Sequence, residues 1–330
     1  MSDPLALEER ALARGTEVDR ASLDTLRGWF PVAVATDPPG LWWRFLGDLR
    51  FEAPFFRETL RQTQLERLCC RTSFDALDEL GEALEPTALI FHVSRCGSTL
   101  LSQLLALLPQ CAVISEPPVI DSFLRFHAAA AGGAERTLRG LVAALGQKRF
   151  PQEQRLFVKL DSWHIHELSL FRRAFPRTPF IFVYREPAAV MASHRRQRGP
   201  QMVPGVVTPA RLGIGALRAA AGDLDAYCAQ VLEGFMSAAL ASADDLVLLD
   251  YRELPEVVWA RLLKDFSLDC DAAQMDVLEA RARRHSKDPA RGFAGDPPSS
   301  PATADLAAAD RLYAELGRKR LLQIGGAAVR

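Results

Sequence analysis

Three short segments of the 330-residue chain bring together residue types that can bind or move a negatively charged group. The first is Ser94-Arg95-Cys96-Gly97-Ser98-Thr99. It follows the apolar run ALIFHV (88–93) and precedes STLLSQLLALL, whose apolar residues at 100, 101, 104, 105 and 108 have helical spacing. A strand, a glycine-bearing loop and a helix in that order let backbone N–H groups converge on an anion, and the helix N-terminus adds a positive dipole end. Arg95 offers a charged fork suited to phosphate, and Ser98 and Thr99 offer hydroxyls. No Lys precedes Ser98, so the loop is not the ATP/GTP pattern GxxxxGK[ST], and its single glycine excludes GxGxxG. On spacing alone, an anion loop and an ordinary tight turn stand level.

The second segment follows the apolar run PFIFVY (179–184). Arg185-Glu186-Pro187 comes next, and Ser193 lies eight residues past Arg185. Pro187 suits the first turn of a helix. Two helical turns are about 7 residues, which puts Ser193 close to the face of the residue just after Arg185. One Arg and one hydroxyl can share an anion, while an Arg paired with a carboxylate beside a capped helix is the plainer alternative. The third segment is Ser115-Glu116-Pro117-Pro118, directly after CAVIS. There Glu116 can serve as a general base for a hydroxyl, or simply as a carboxylate favoured by a helix N-terminus. Asp161 and His164 are rivals for the base. His92 lies within a strand and reads as a core residue. His164 and His166, two apart, are poorly spaced for a shared metal, and no HExxH or Cys/His cluster occurs, so no metal is expected.

These residues need elements to hold them. Strand candidates at 88–93, 111–115, 155–160, 179–184 and 245–250 alternate with helical stretches, the longest within 208–242. That alternation predicts an α/β fold: a doubly wound, mainly parallel sheet of about five strands flanked by helices. Ligands of such sheets lie beyond the carboxyl ends of the strands, where Arg95, Glu116 and Arg185 fall. If the first two strands are neighbours, about 4.8 Å apart, Arg95 and Glu116 face one bound group. Residues 1–85 read as a helical extension without a strand, and 86–330 as the main domain. Within the extension, Pro38-Pro39-Gly40 breaks the chain. The aromatic stretch from Trp42 to Phe56 then packs on the main domain or covers an acceptor pocket, and Ser73 caps a short helix through Leu84. Residues 281–302 read as a long loop, with a helix at about 303–320.

Composition narrows the partners. With 48% hydrophobic and 25% charged residues the chain can bury a large core, and its net charge of −1 gives no general attraction to nucleic acid or anionic membrane. The first residues are charged and lack the apolar core of a secretory signal, and no apolar run approaches the roughly 20 residues of a membrane span. Six cysteines without CxxC spacing fit reduced thiols and a cytoplasmic location. Nothing in the sequence indicates oligomeric state.

Taken together, Arg95-Cys96-Gly97-Ser98-Thr99 and Arg185-Glu186-Pro187 with Ser193 resemble the paired signatures of sulfotransferases that use 3′-phosphoadenosine 5′-phosphosulfate (PAPS). LVLLDYRELPEVVWARLLKDFSLD (246–269) is similar to a further strand, "Y-x-x-L" and helix segment of that family. The likeness spans roughly residues 86–300. It implies a P-loop NTPase-like fold and sulfuryl transfer to a hydroxyl or amine of a small-molecule or peptide acceptor. It also implies residue roles: Arg95 near the oxygen bridging phosphate and sulfate; Cys96, Gly97, Ser98 and Thr99 around the 5′-phosphate; Arg185 and Ser193 on the 3′-phosphate; and Glu116 as base. A late basic contact falls to Lys287 or to Arg291 with Gly292, within a Gly292-Phe-Ala-Gly295-Asp296 run that keeps the family's glycine spacing but lacks its following aromatic residue. A nucleotide-dependent small-molecule kinase, or a non-catalytic binder of adenosine nucleotides, remains the alternative.

Overall fold

The computed structural model describes residues 7, 11, 13–63, 65–127, 133–285, 288–292 and 305–327. Contacts divide the chain into two compact units. One comprises Met1–Ala88, Ser102–Leu160 and Ser169–Thr178; the other comprises Leu89–Leu101, Asp161–Leu168 and Pro179–Arg330.

The first unit corrects the expectation of a helical N-terminus. Strands β1 (Thr16–Glu17), β2 (Trp29–Thr36), β3 (Pro39–Phe45) and β4 (Leu68–Thr72) form a four-stranded sheet in the order β1-β4-β3-β2, and the segment's one α-helix among the described residues 13–85 is α1 (Phe56–Gln62). The physical reason lies in the residues. PVAVAT is a β-branched and small run that fits a pleated surface better than a helix, and Asp37-Pro38 is the turn of a hairpin in which Thr36 pairs Pro39 and Ala35 pairs Gly40. Pro31 is tolerated because β2 is an edge strand and its register slips between Pro31 and Ala33. The Trp43 indole, fully buried, donates to Thr72 Oγ1 at 2.8 Å, joining β3 to β4. Ser73 stands before a 3-10 turn, Phe74–Glu79, without a capping side-chain bond, and that turn ends short of Leu84.

The five predicted strands of the main sheet are all present: β5 (Pro86–His92), β6 (Cys111–Ser115), β7 (Arg155–Lys159), β8 (Phe180–Tyr184) and β9 (Val247–Asp250). They form an all-parallel sheet in the order β6-β7-β5-β8-β9, flanked by helices. This order corrects one expectation: β6 is not beside β5, because β7 stands between them. Helix α2 (Ser98–Ala106) follows β5; α3 (Pro118–His127) and α4 (Ala134–Leu145) follow β6; α5 (Leu168–Ala174) precedes β8; α6 (Pro187–Arg196) and α7 (Leu224–Ala241) follow it. Every residue of β8 is fully buried, as parallel strands covered on both faces require. Each such apolar side chain contributes roughly 1.5–3 kcal/mol through burial.

The expected loop at 281–302 carries short strands, while the helix expected at about 303–320 is present. Helix α8 (Ala272–Ala282) runs into a small antiparallel pair, β10 (Arg284–His285) with β11 (Asp288–Gly292), and α9 spans Ala307–Ala327. Gln323 of α9 docks the helix on the sheet edge: its Oε1 accepts from Leu248 N at 3.1 Å, and its Nε2 donates to Ala243 O at 3.0 Å and Leu246 O at 2.8 Å. Among the described residues no helix is long and apolar enough to cross a membrane.

Candidate functional site

β5 and β8 are hydrogen-bonded neighbours, with Leu89 facing Phe180 and His92 facing Val183. In the strand order, the chain leaves β5 toward β6 on one side and later returns to β8 on the other. The loops after β5 and β8 therefore flank a topological switch point, the place where open α/β sheets bind ligands.

The loop after β5 has an unusual backbone. Ser94 (φ 68°) and Arg95 (φ 51°) are consecutive non-glycine residues in the left-handed region, and Gly97 follows at φ 84°. Such residues are uncommon and cost about 1–3 kcal/mol each, so the surrounding structure must hold them. A tight turn of this kind, running straight into a helix N-terminus, is a backbone setting in which N–H groups can meet an anion. Part of the hold is visible. Ser94 N donates to His92 Nδ1 at 2.9 Å, and the fully buried Cys96 thiol donates to Val183 O at 3.1 Å. Cys96 thus turns its side chain into the core and can offer a ligand only its backbone. A Cβ on Gly97 would lie 2.7 Å from Leu254 Cδ1 and 2.8 Å from Tyr251 Cδ2, so glycine is required for space as well as for φ. Ser98 and Thr99 are buried at the start of α2.

The guanidinium of Arg95 donates to Gln197 O at 2.6 Å, at the C-terminal end of α6. Two further arginines there, Arg195 and Arg198, grip one carboxylate, Asp225, at 2.8 and 2.7 Å. The run His194–Arg198 is in part an anchored helix end. Pro187 occupies the first turn of α6, as its position after Arg185 predicts, and Ser193 is half-buried on that helix.

Arg185 is largely buried, 9% exposed, and its guanidinium carbon lies 3.9 Å from the centroid of the Tyr251 ring. Its Nη1 donates to Arg95 O at 3.4 Å, tying the two loops together. The ring that carries Arg185 is the same ring that leans on Gly97. Tyr251 was not singled out by spacing as a site residue. Its signal was positional: it is the first residue after β9, at the carboxyl edge of the sheet.

Glu116 occupies the corresponding position after β6, with φ 52°. Its N–H donates to Lys159 O at 2.7 Å, and its Oε1 lies 3.0 Å from Lys159 Nζ. Lys159 is fully buried whereas Glu116 is 22% exposed, so the carboxylate is reachable and its counter-ion is not. The Lys159 ammonium also sits 4.6 Å from the Phe55 ring centroid. Lys159 is the residue that sequence reasoning missed. Its partner follows from register, since Ser115 pairs Lys159 across β6 and β7, and register is not written in either strand alone. Phe55 comes from the aromatic stretch expected either to pack on the main domain or to cover an acceptor pocket, and it reaches Lys159, the counter-ion of the candidate base.

The rival carboxylate Asp161 is buried, with its Oδ2 3.9 Å from His164 Nε2 in the 3-10 turn Ser162–Glu167. Burial holds the neighbouring His166 below the ordinary imidazole value, against a backbone hydrogen bond with Leu212 that raises it. Of the late-loop candidates, Lys287, Gly295 and Asp296 lie outside the described residues, and Arg291 and Gly292 lie on β11.

No protein-family model matches this chain, and no curated protein matches it. Among solved structures, the sulfotransferase domain from the Synechococcus PCC 7002 olefin synthase is similar, with a TM-score of 0.40 and 17% identity over 74% of this chain and 96% of that domain. A likeness that distant assigns no residue a role.

Proposed function

We propose that the protein is a sulfotransferase that uses PAPS and moves its sulfuryl group to a hydroxyl or amine of a small-molecule or peptide acceptor. The observation that carries this reading is the left-handed Ser94-Arg95-Cys96-Gly97 loop, closed against Tyr251 and tied to the stacked Arg185. It is an anion cradle with a second cationic contact and no Lys of the triphosphate type. That chemistry suits a nucleotide with two separate anionic ends better than a Mg²⁺–triphosphate.

In this reading the backbone N–H groups around Gly97, with Ser98 and Thr99, hold the 5′-phosphosulfate, and Arg185 with Ser193 holds the 3′-phosphate. Sulfuryl transfer, like phosphoryl transfer, is mostly alignment and charge stabilisation. As the acceptor oxygen bonds to sulfur, its proton passes to Glu116 and the bond from sulfur to the 5′-phosphate oxygen breaks. The electron pair leaves with adenosine 3′,5′-bisphosphate, and Arg95 offsets the charge that develops there. Lys159, with its Nζ 3.0 Å from Glu116 Oε1, orients the carboxylate.

The test is transfer of labelled sulfate from PAPS to a panel of phenols, alcohols, amines and tyrosyl peptides without added metal. Label in at least one acceptor supports the reading. Labelled phosphate moving from ATP to the same panel, with no sulfate transfer, overturns it in favour of a kinase.

A further inference from the structure

We propose that the C-terminal helix α9 sets the geometry of the second anion contact, with Tyr313 as the positioning residue; the inference rests on the sulfotransferase reading above. Arg185 and Tyr251 each follow the last residue of a strand, Tyr184 on β8 and Asp250 on β9, and these two residues are register partners. Tyr313 touches both. Its ring meets Tyr184 edge-on at 5.6 Å and 66°, and its hydroxyl donates to Asp250 Oδ2 at 2.9 Å. One side chain thus spans the pair of residues from which the Arg185–Tyr251 stack springs.

The turn that presents Tyr251 is held by the same helix at a second point. Asp250, 1% exposed, caps the 3-10 turn Tyr251–Glu253, and Glu253 closes the capping box by accepting from Asp250 N at 2.9 Å. Glu253 also pairs with Arg320 of α9 at 2.9 Å. Asp250 further receives Arg252 N at 2.9 Å, Nε at 3.0 Å and Nη2 at 2.9 Å. The turn therefore keeps its cap without Tyr313, so losing the Tyr313 hydroxyl costs placement rather than folding. A shift of Tyr251 moves both the platform of Arg185 and the wall of Gly97.

The experiment compares wild type, Tyr313→Phe, Arg185→Ala and the double variant by calorimetric titration with adenosine 3′,5′-bisphosphate and adenosine 5′-phosphate. Tyr313→Phe should weaken the bisphosphate about 3–10-fold, the effect of losing one hydrogen bond, and leave the 5′-phosphate unchanged. It should add nothing in the Arg185→Ala background, because both act through one contact. Equal losses for both ligands, or full additivity, would overturn the proposal. With 4 tyrosines in the chain, 3-fluorotyrosine labelling gives a resonance for Tyr251 that Tyr251→Phe assigns. In ligand-free protein that resonance should move on Tyr313→Phe; if it stays put, the helix does not set the stack. A wild type that binds both nucleotides equally defeats the 3′-phosphate reading instead, and the fluorine resonance still decides the role of α9.

Discussion

The proposed anion cradle of the second unit and the Glu116–Lys159 pair of the first are built in opposite ways. The cradle is local. Its shape comes from the backbone of Ser94, Arg95 and Gly97 within a single strand–loop–helix, and Arg185 sits at the same point of the neighbouring strand. The carboxylate–ammonium pair is tertiary. Glu116 and Lys159 lie far apart in sequence and meet because β6 and β7 align Ser115 with Lys159. One is a glycine-bearing loop shaped by its own backbone. The other places a reachable carboxylate over a cation that solvent cannot reach. In the proposed reading, binding falls to the first and chemistry to the second.

Substitutions in the two regions should therefore fail differently. Glu116→Gln preserves size and removes the base; turnover should fall about 10²–10⁴-fold while affinity for adenosine 3′,5′-bisphosphate holds, as steady-state kinetics and titration will read. Equal losses in both would merge the two regions into one. Arg185→Ala removes a charge-assisted contact of about 1.5–3 kcal/mol, roughly 10–150-fold in affinity. The loss should fall on the 3′,5′-bisphosphate and spare adenosine 5′-phosphate; a uniform loss would deny Arg185 the 3′-phosphate.

Two smaller effects sharpen the contrast. Lys159→Met removes the buried cation while keeping volume. The carboxylate then loses the partner that orients it, so turnover should fall about 3–10-fold, the effect of losing one hydrogen bond, with nucleotide affinity unaltered. Unchanged turnover would separate Lys159 from Glu116 function. On the cradle side, Asp250 carries a pH signature in stability. Burial raises its pKa, but hydrogen bonds from the Arg252 side chain and backbone and from Tyr313 outweigh it and hold the carboxyl below its ordinary 3.8. A depressed folded value means the contribution is present above the ordinary pKa and lost as pH falls through the lower folded one. Asp250→Asn should then flatten the loss of stability on acidification below about pH 4, measured by denaturant melts across pH; an unchanged slope would show that Asp250 is not the group titrating.

The same distinction explains what the sequence revealed. The five parallel strands were legible because each is a short apolar run bounded by turn or helix signals, and the loop at 94–97 between strand and helix was legible because its residues are contiguous. The order β6-β7-β5 was not legible, so Glu116 was expected one strand from Arg95 rather than beyond β7. Lys159 was overlooked because a lysine ending a strand gives no sign that it will be buried until its register partner is known. The N-terminal sheet was misread because Trp42 to Phe56 drew attention as an aromatic cluster. The informative part was PVAVAT followed by the two-residue turn Asp37-Pro38, which is a hairpin.

The central claim is that the cradle reads a nucleotide carrying a 3′-phosphate and needs no metal. Thermal unfolding with adenosine 3′,5′-bisphosphate, adenosine 5′-phosphate and ATP, each with EDTA and with Mg²⁺, tests it directly. The account predicts a marked upward shift for the 3′,5′-bisphosphate in EDTA, a smaller one for the 5′-phosphate and little for ATP. Stabilisation by ATP only with Mg²⁺, with none from the bisphosphate, would contradict it.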